Sequence, residues 1–256
     1  MLVALGSIAS AKTTEDTAKA VTHLLNYAAS NPEATVRFHA SDMCLKIHSD
    51  ASYLSEPKAR SRAGGHFFLS SNSPLPTATS TPPPENGAIH TLCSIMKVVL
   101  SSATEAELGA CFFNAKEGVM IRIILIEMGH PQPTTPIQVD NSCAAGIAND
   151  TVKQRRSKAI DMRFYWLKDR ECQGQFHIYW RKGAENLADY FTKHHSPAHH
   201  RRMRPTYLHT PTSPNFTPAT SNVSGEGVLM PGISPPHPGY FQKHLPTSHS
   251  RTSILV

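Results

Sequence analysis

Leu45-Lys46-Ile47-His48-Ser49-Asp50-Ala51-Ser52-Tyr53 alternates apolar and polar residues and then drives into an aspartate followed at once by small and polar turn residues. Alternation of this kind is the pattern of a β-strand, and the strand delivers one carboxylate at its own end. Taken singly, an aspartate leaving a strand is more often a turn former than a ligand. Three later stretches give it company. Thr104-Glu105-Ala106-Glu107-Leu108 opens a long helical pattern, and Pro136-Ile137-Gln138-Val139-Asp140-Asn141-Ser142 repeats the strand-then-aspartate arrangement. Glu185-Asn186-Leu187-Ala188-Asp189-Tyr190 supplies a fourth acid, so the order along the chain is D, E, D, D.

The stretches around the first strand set the topology. Ahead of it, Thr13-Thr14-Glu15-Asp16 is a helix start with acids favouring the N-terminal dipole, followed by Ala18, Val21, Leu24, Leu25 and Ala28 at helical steps and ended by Asn31-Pro32. After it, Arg62-Ala63-Gly64-Gly65-His66-Phe67-Phe68-Leu69 is a second strand, with paired glycines where backbone must approach closely. Residues 70–86 are rich in Ser, Thr and Pro without periodicity, which predicts a flexible loop at a hairpin tip. Residues 88–92 and 94–99 resume β character and complete a three-stranded antiparallel meander.

From Thr104 the period changes. Leu108, Phe112, Ala115, Val119, Ile123 and Ile126 recur at three- and four-residue steps, predicting a core-facing helical stripe that Gly129-His130-Pro131 stops. A fourth strand over 137–139, a short helix over 144–148, a helix over 156–171 with Ile160, Phe164 and Leu167 inward, a fifth strand over 175–180 and a last helix over 184–192 follow. The resulting fold class is α/β, a mixed five-stranded sheet of three antiparallel strands then two parallel ones, with helices on both faces.

At 256 residues and 39% hydrophobic content, one core plus disordered sequence fits better than two cores. The division is a helical segment over 1–40, a domain over 41–196 and a disordered tail over 197–256, which holds ten of the twenty prolines and almost no apolar periodicity. The five cysteines are odd in number, spread out and without a C-x-x-C pair, so neither a disulfide framework nor a structural zinc site is indicated. The opening Met1-Leu2-Val3-Ala4-Leu5-Gly6 has no positive region and too short an apolar run for a signal peptide, which predicts a chain that is not secreted. No stretch approaches the ~18 apolar residues of a membrane span. The net charge of +6 has a location: between Thr151 and Lys182, nine Lys or Arg face three acids. A basic face beside carboxylates suits a polyanion, and the candidates for gripping it are Lys153, Arg155, Arg156, Lys158, Arg181 and Lys182. His194-His195 and His199-His200 lack a third ligand class nearby and are expected to be solvated.

Ser-Asp-Ala-Ser at the first acid, Ala-Glu-Leu at the second, Val-Asp-Asn-Ser at the third and Asn-Leu-Ala-Asp at the fourth resemble the ribonuclease H family. More narrowly, Ser101-Ser102-Ala103-Thr104-Glu105-Ala106-Glu107, Arg156-Ser157-Lys158-Ala159-Ile160-Asp161-Met162-Arg163 and Ala188-Asp189-Tyr190-Phe191-Thr192-Lys193 resemble the ribonuclease H region of copia-type retrotransposon polyproteins. Residues 1–40 then resemble the connection that follows the polymerase. The resemblance implies endonucleolytic hydrolysis of the RNA strand of RNA–DNA hybrids. It implies a polymerase domain of reverse transcriptase as partner, no small-molecule cofactor, and a retroelement particle in the cytoplasm, or the nucleus, as the place of action. It also leaves two other readings: an inactive nucleic-acid-binding remnant, or another nuclease of the same fold.

Phosphodiester hydrolysis needs an activated water, a stabilised leaving 3′ oxygen and relief of charge on the non-bridging oxygens, which two Mg²⁺ ions held by carboxylates supply, with Mn²⁺ as a substitute. The resemblance implies Asp50, Glu107, Asp140 and Asp189 as both the catalytic set and the metal ligands. Glu105 competes with Glu107, because the two lie about 200° apart on a helix and each fits a capping-box pattern. Asp161 is the alternative to Asp189. The segment Arg181-Lys182-Gly183-Ala184-Glu185 lacks the loop histidine of many cellular ribonucleases H, which puts product release in question.

Overall fold

The computed structural model describes residues 14–148 and 161–209. Lys153, Arg155, Arg156 and Lys158, the first residues of the chain and the segment 210–256 lie outside that description. Helix α1 (Glu15–Ser30) is capped by the Thr14 side chain and ends at Asn31, as its sequence signals require. The strands are β1 (Cys44–Glu56), β2 (Arg60–Ser70), β3 (Ala88–Ile95), β4 (Thr135–Val139) and β5 (Phe176–Trp180). Between them run α2 (Ala103–Glu127), α3 (Ser142–Ala148) and α4 (Asp161–Cys172), and after β5 come a 3₁₀ turn (Gly183–Glu185), α5 (Asp189–Thr192) and α6 (Pro197–Tyr207).

The sheet order is β3-β2-β1-β4-β5. β1 pairs antiparallel with β2 and parallel with β4, and β5 runs parallel to β4. This is the mixed five-stranded sheet, three antiparallel strands then two parallel ones, that the sequence predicted. β1 has neighbours on both edges and cover on both faces, so Cys44 through Asp50 are all buried, including Lys46, His48, Ser49 and Asp50. Leu45 and Ile47 join Phe67, Ile137, Val139, Phe176 and Ile178 in the main core, closed by Cys111 and Ala115 of α2 and Leu167 of α4. A second cluster of Ala63, Met96, Leu100, Ala106 and Ala110 seats the first turns of α2 against β2. The small side chains on this face let the helix approach closely.

α2 has the predicted extent, and the predicted face holds through Phe112 and Val119, which pack on the main core, but not beyond. Leu108 and Ala115 are buried, whereas Ile123 and Ile126 are each 49% exposed. The second half of the helix instead buries Gly118 and Leu125. Gly118 lies where an added Cβ would come within 2.8 Å of Ile47, so contact there is made by absence of a side chain, which hydrophobic periodicity does not register.

Three further expectations are corrected. Residues 71–87 are irregular but do not project as a free tip: Pro76 and Pro83 are buried, Ser70 Oγ donates to Pro84 O at 2.7 Å and Arg181 Nη1 donates to Ser80 O at 2.6 Å. The single last helix over 184–192 is broken into a 3₁₀ turn and a four-residue helix, separated by Asn186, Leu187 and Ala188. The ordered domain also does not stop at 196. α6 is capped by Ser196 with Pro197 at its first position, Tyr207 OH donates to Leu187 O at 2.8 Å, and Thr35 and His209 form a β-bridge. Proline content argued for disorder here, but a proline at a helix start is preorganised rather than disruptive.

Candidate metal centre

β1 and β4 are parallel neighbours with His48 opposite Gln138. Two residues further on, Asp140 follows the last residue of β4, whereas Asp50 lies within β1, which does not end there as the sequence predicted but runs on to Glu56 paired with β2; the two aspartates stand side by side across the parallel pair. Asp189 arrives from α5. One carboxylate oxygen from each of Asp50, Asp140 and Asp189 lies within 4.8 Å of the others. Asp50 is 1% exposed, and the other two are partly buried.

Hydrogen bonds distinguish the two glutamates where burial does not, since Glu105 and Glu107 are 7% and 6% exposed. Glu105 turns back on its own helix start: its Oε2 accepts from Ser101 N at 2.6 Å and Ser101 Oγ at 2.5 Å, while its own N–H donates to Ser102 Oγ at 3.1 Å. Glu107 turns to the sheet, where its Oε1 accepts from Ala51 N at 3.2 Å, one residue past Asp50. Its Oε2 is buried without a hydrogen-bond partner among the described residues. Asp161 opens the described part of α4, and its side chain lies outside the description.

The acids are crowded into a poorly solvated corner. Burial pushes Asp50 up to about 7, aided by the charges of Asp140 and Asp189 and opposed by the Thr192 hydroxyl and the Lys193 ammonium. Burial, then the charges of Asp50 and Asp140, push Glu107 up to about 9. Asp140 is raised too, again mainly by burial. Such a set holds protons near neutrality unless positive charge is brought to it.

The segment that carries Asp189 is stitched to the middle of β1. Asn186 Nδ2 donates to Ser49 O at 2.8 Å, Leu187 N donates to His48 Nδ1 at 3.1 Å, and Thr192 Oγ1 donates to Asp50 Oδ2. Asn186 Oδ1 also accepts from Ala188 N at 3.0 Å, which fixes its amide. Gly64 makes room for this: a Cβ there would stand 2.5 Å from Thr192 Cγ2 and 2.9 Å from Ala188 O. On the opposite face of β1, Asn114 of α2 donates to Ser49 Oγ at 2.9 Å and to Gly64 O at 2.8 Å. Gly183 abuts Asp140, whose Oδ2 would lie 2.8 Å from a Cβ at that position.

Sequence reasoning did not single out Asn186, Thr192, Lys193 or Asn114. Thr192 and Lys193 follow Asp189 by three and four residues, the spacing that brings helical side chains together, and that was the available signal. Of the basic residues named from sequence, Lys182 is exposed next to Gly183. Arg181 is committed elsewhere: its guanidinium binds Glu185 Oε2 at 2.6 Å and Ser80 O, leaving an 11% exposed side chain. It ties the 71–87 segment to the turn after β5.

No protein-family model matches the chain. The chain is 26% identical over 175 residues to the retrovirus-related Pol polyprotein from transposon TNT 1-94 of Nicotiana tabacum, a match that covers 68% of this chain and 12% of the polyprotein. The chain is thus similar to one region of that polyprotein, and the match spans about an eighth of the polyprotein's length. Among solved structures, LC11-RNase H1, isolated from compost by a metagenomic approach, is similar with a TM-score of 0.42 at 10% identity, over 58% of this chain and 92% of its own. The PFV RNase H domain is similar with a TM-score of 0.38 at 17% identity, over 58% and 91% of the two chains.

Proposed function

We propose that the chain is the ribonuclease H region of a copia-type retroelement polyprotein, with part of the polymerase connection ahead of it, and that it hydrolyses the RNA strand of RNA–DNA hybrids during reverse transcription. The observation that carries this reading is the meeting of Asp50, Asp140 and Asp189 within 4.8 Å from three separate elements, with the Glu107 carboxylate beside them. The donors are all hard oxygens, which suit Mg²⁺ and admit Mn²⁺. The buried, unpartnered Oε2 of Glu107 is the kind of acceptor that a cation or its water would satisfy.

In this reading Asp50, Glu107, Asp140 and Asp189 would together hold the divalent ions, with Asp50 at the centre of the set, Glu107 and Asp140 on its flanks, and Asp189 also orienting the attacking water. Bound there, divalent ions would activate that water, relieve charge on the phosphate and stabilise the leaving 3′ oxygen. The protein supplies the positions. Strand register sets Asp50 against Asp140, the Thr192 hydroxyl holds one oxygen of Asp50, and the Ala51 N–H holds one oxygen of Glu107. Lys182, with Lys153, Arg155, Arg156 and Lys158, would grip phosphates without reading sequence, and 2′-hydroxyl contacts would select the RNA strand. The polymerase domain of a reverse transcriptase, in a retroelement particle in the cytoplasm or in the nucleus, is the partner this implies.

Purified protein assayed on a labelled hybrid, with duplex DNA and duplex RNA as controls, tests the reading. Mg²⁺-dependent cleavage of the RNA strand is expected, and Asp50→Asn is expected to reduce it by at least about a hundredfold with the circular dichroism spectrum unchanged, because an amide cannot bridge two cations. Hybrid binding without cleavage would instead make the chain an inactive remnant, and cleavage of duplex DNA would make it another nuclease of the same fold.

A further inference from the structure

We propose that Lys193 is the built-in counter-ion of the carboxylate cluster in its metal-free state, and that it competes with divalent cations for the cluster. This rests on the metal-site reading given above. Lys193 Nζ pairs with Asp189 Oδ1. An i,i+4 lysine pair is ordinarily a surface feature of little consequence. Here the partner is one of the three aspartates whose oxygens converge, so the ammonium stands at the edge of the space a cation would fill. Its charge acts on Asp50, Glu107 and Asp140 as well as on Asp189. Among the described residues, Lys193 is the one basic side chain in an ion pair with any of the four acids.

The anchoring explains how one residue can both occupy and vacate the place. Its neighbour Thr192 is 4% exposed, donates to Asp50 and also to Asp189 O at 3.1 Å, and is seated against Gly64. The backbone at 193 is therefore held at the rim of the cluster. The Lys193 side chain itself is 47% exposed, so a route to solvent is open without moving α5. A divalent ion brings twice the charge and can be approached by all the carboxylates together, whereas an ammonium pairs closely with one. Filling the cluster thus exchanges a weak internal cation for a stronger external one, and Lys193 sets how strong the external one must be.

The test is calorimetric titration of the full chain with Mg²⁺, and separately Mn²⁺, at neutral pH and low salt, for the wild type, Lys193→Gln and Lys193→Arg. Removing a unit positive charge beside a divalent ion in partly solvated surroundings should tighten binding by roughly three- to tenfold. Lys193→Gln should show that gain and Lys193→Arg should stay near the wild type. Lys193→Gln should also melt earlier than the wild type in EDTA, with the difference shrinking in saturating Mg²⁺, an effect a merely structural surface pair would not produce. Unchanged or weaker affinity in a folded Lys193→Gln, alongside clear wild-type binding, overturns the counter-ion role and leaves the metal site standing. Absence of wild-type binding at millimolar Mg²⁺ overturns the metal-site reading and this proposal with it.

Discussion

Asp50 and Asp140 are held by one kind of structure and Asp189 by another. The first two stand on central, parallel strands anchored in the main core, where Ile47 and Ile137 are fully buried opposite each other. Asp189 stands on a helix of four residues, too short to be stable by itself, and is placed by hydrogen bonds from Asn186, Leu187 and Thr192 to three successive residues of β1. Two of the three aspartates thus follow from strand register and hydrophobic burial, and the third from polar stitches. The two kinds of support should fail differently: loss of burial lowers global stability, whereas loss of a stitch loosens the cluster while the sheet stays intact.

The largest expected effect is therefore in the core. Ile137→Ala should cost about 2–5 kcal/mol of folding free energy, measured by urea melts, and should impair the cluster only as far as the protein unfolds. Asn186→Ala removes the donor to Ser49 O and the acceptor for Ala188 N, both buried, at a cost of about 1–3 kcal/mol. Its effect on Mg²⁺ affinity should exceed that of an Ile137 variant compared at equal fraction folded. If both variants lose affinity only in proportion to unfolding, the distinction between the two supports collapses.

pH should separate the regions as well. His48 and His66, on the face of the sheet under α5 and α6, are driven by burial down to about 3 and about 4 from 6.5. The unfolded chain takes up these protons below pH 6.5 and the folded chain does not, so this contribution is present above 6.5 and is lost as pH falls toward 4. Asp50 and Glu107 are raised to about 7 and about 9 from 3.8 and 4.5, so the folded metal-free protein keeps protons that the unfolded chain releases. Their contribution is present below about 4 and is lost as pH rises through 7 to 9. Of these two contributions, only that of the acids varies above pH 6.5. Urea melts in EDTA should show stability falling from pH 7 to 9, and Mg²⁺ should flatten that fall. A flat profile in EDTA would mean the acids are not crowded as described.

The smallest effect is expected at Ile126. It fits the hydrophobic period of α2 yet is 49% exposed, so Ile126→Ser should change stability by no more than about 0.5 kcal/mol. The neighbouring Leu125, 5% exposed, should cost several times that on truncation to Ala.

What the sequence determined by itself was whatever depends on local alternation and local stops. β4 running into its aspartate, the change to a helical period at Thr104 and the order of strands and helices were legible, because strand and helix periods are properties of neighbouring residues; that β1 runs past Asp50 to Glu56 was not, because pairing with β2 extends it. Tertiary structure decided the rest. Glu105 and Glu107 both fit a helix start, and only the proximity of Ser101 to one and Ala51 to the other separates them. Arg181 is basic in any context, but the carbonyl of Ser80, about a hundred residues earlier, removes it from the surface. α6 follows from Ser196-Pro197 only once Tyr207 has Leu187 to bind, and Asp189 reaches the cluster only because Gly64 leaves space for Thr192. Apart from Ser101, four residues from Glu105, the deciding partners are distant in sequence, and which of two equivalent side-chain directions is taken depends on what the fold has brought opposite it.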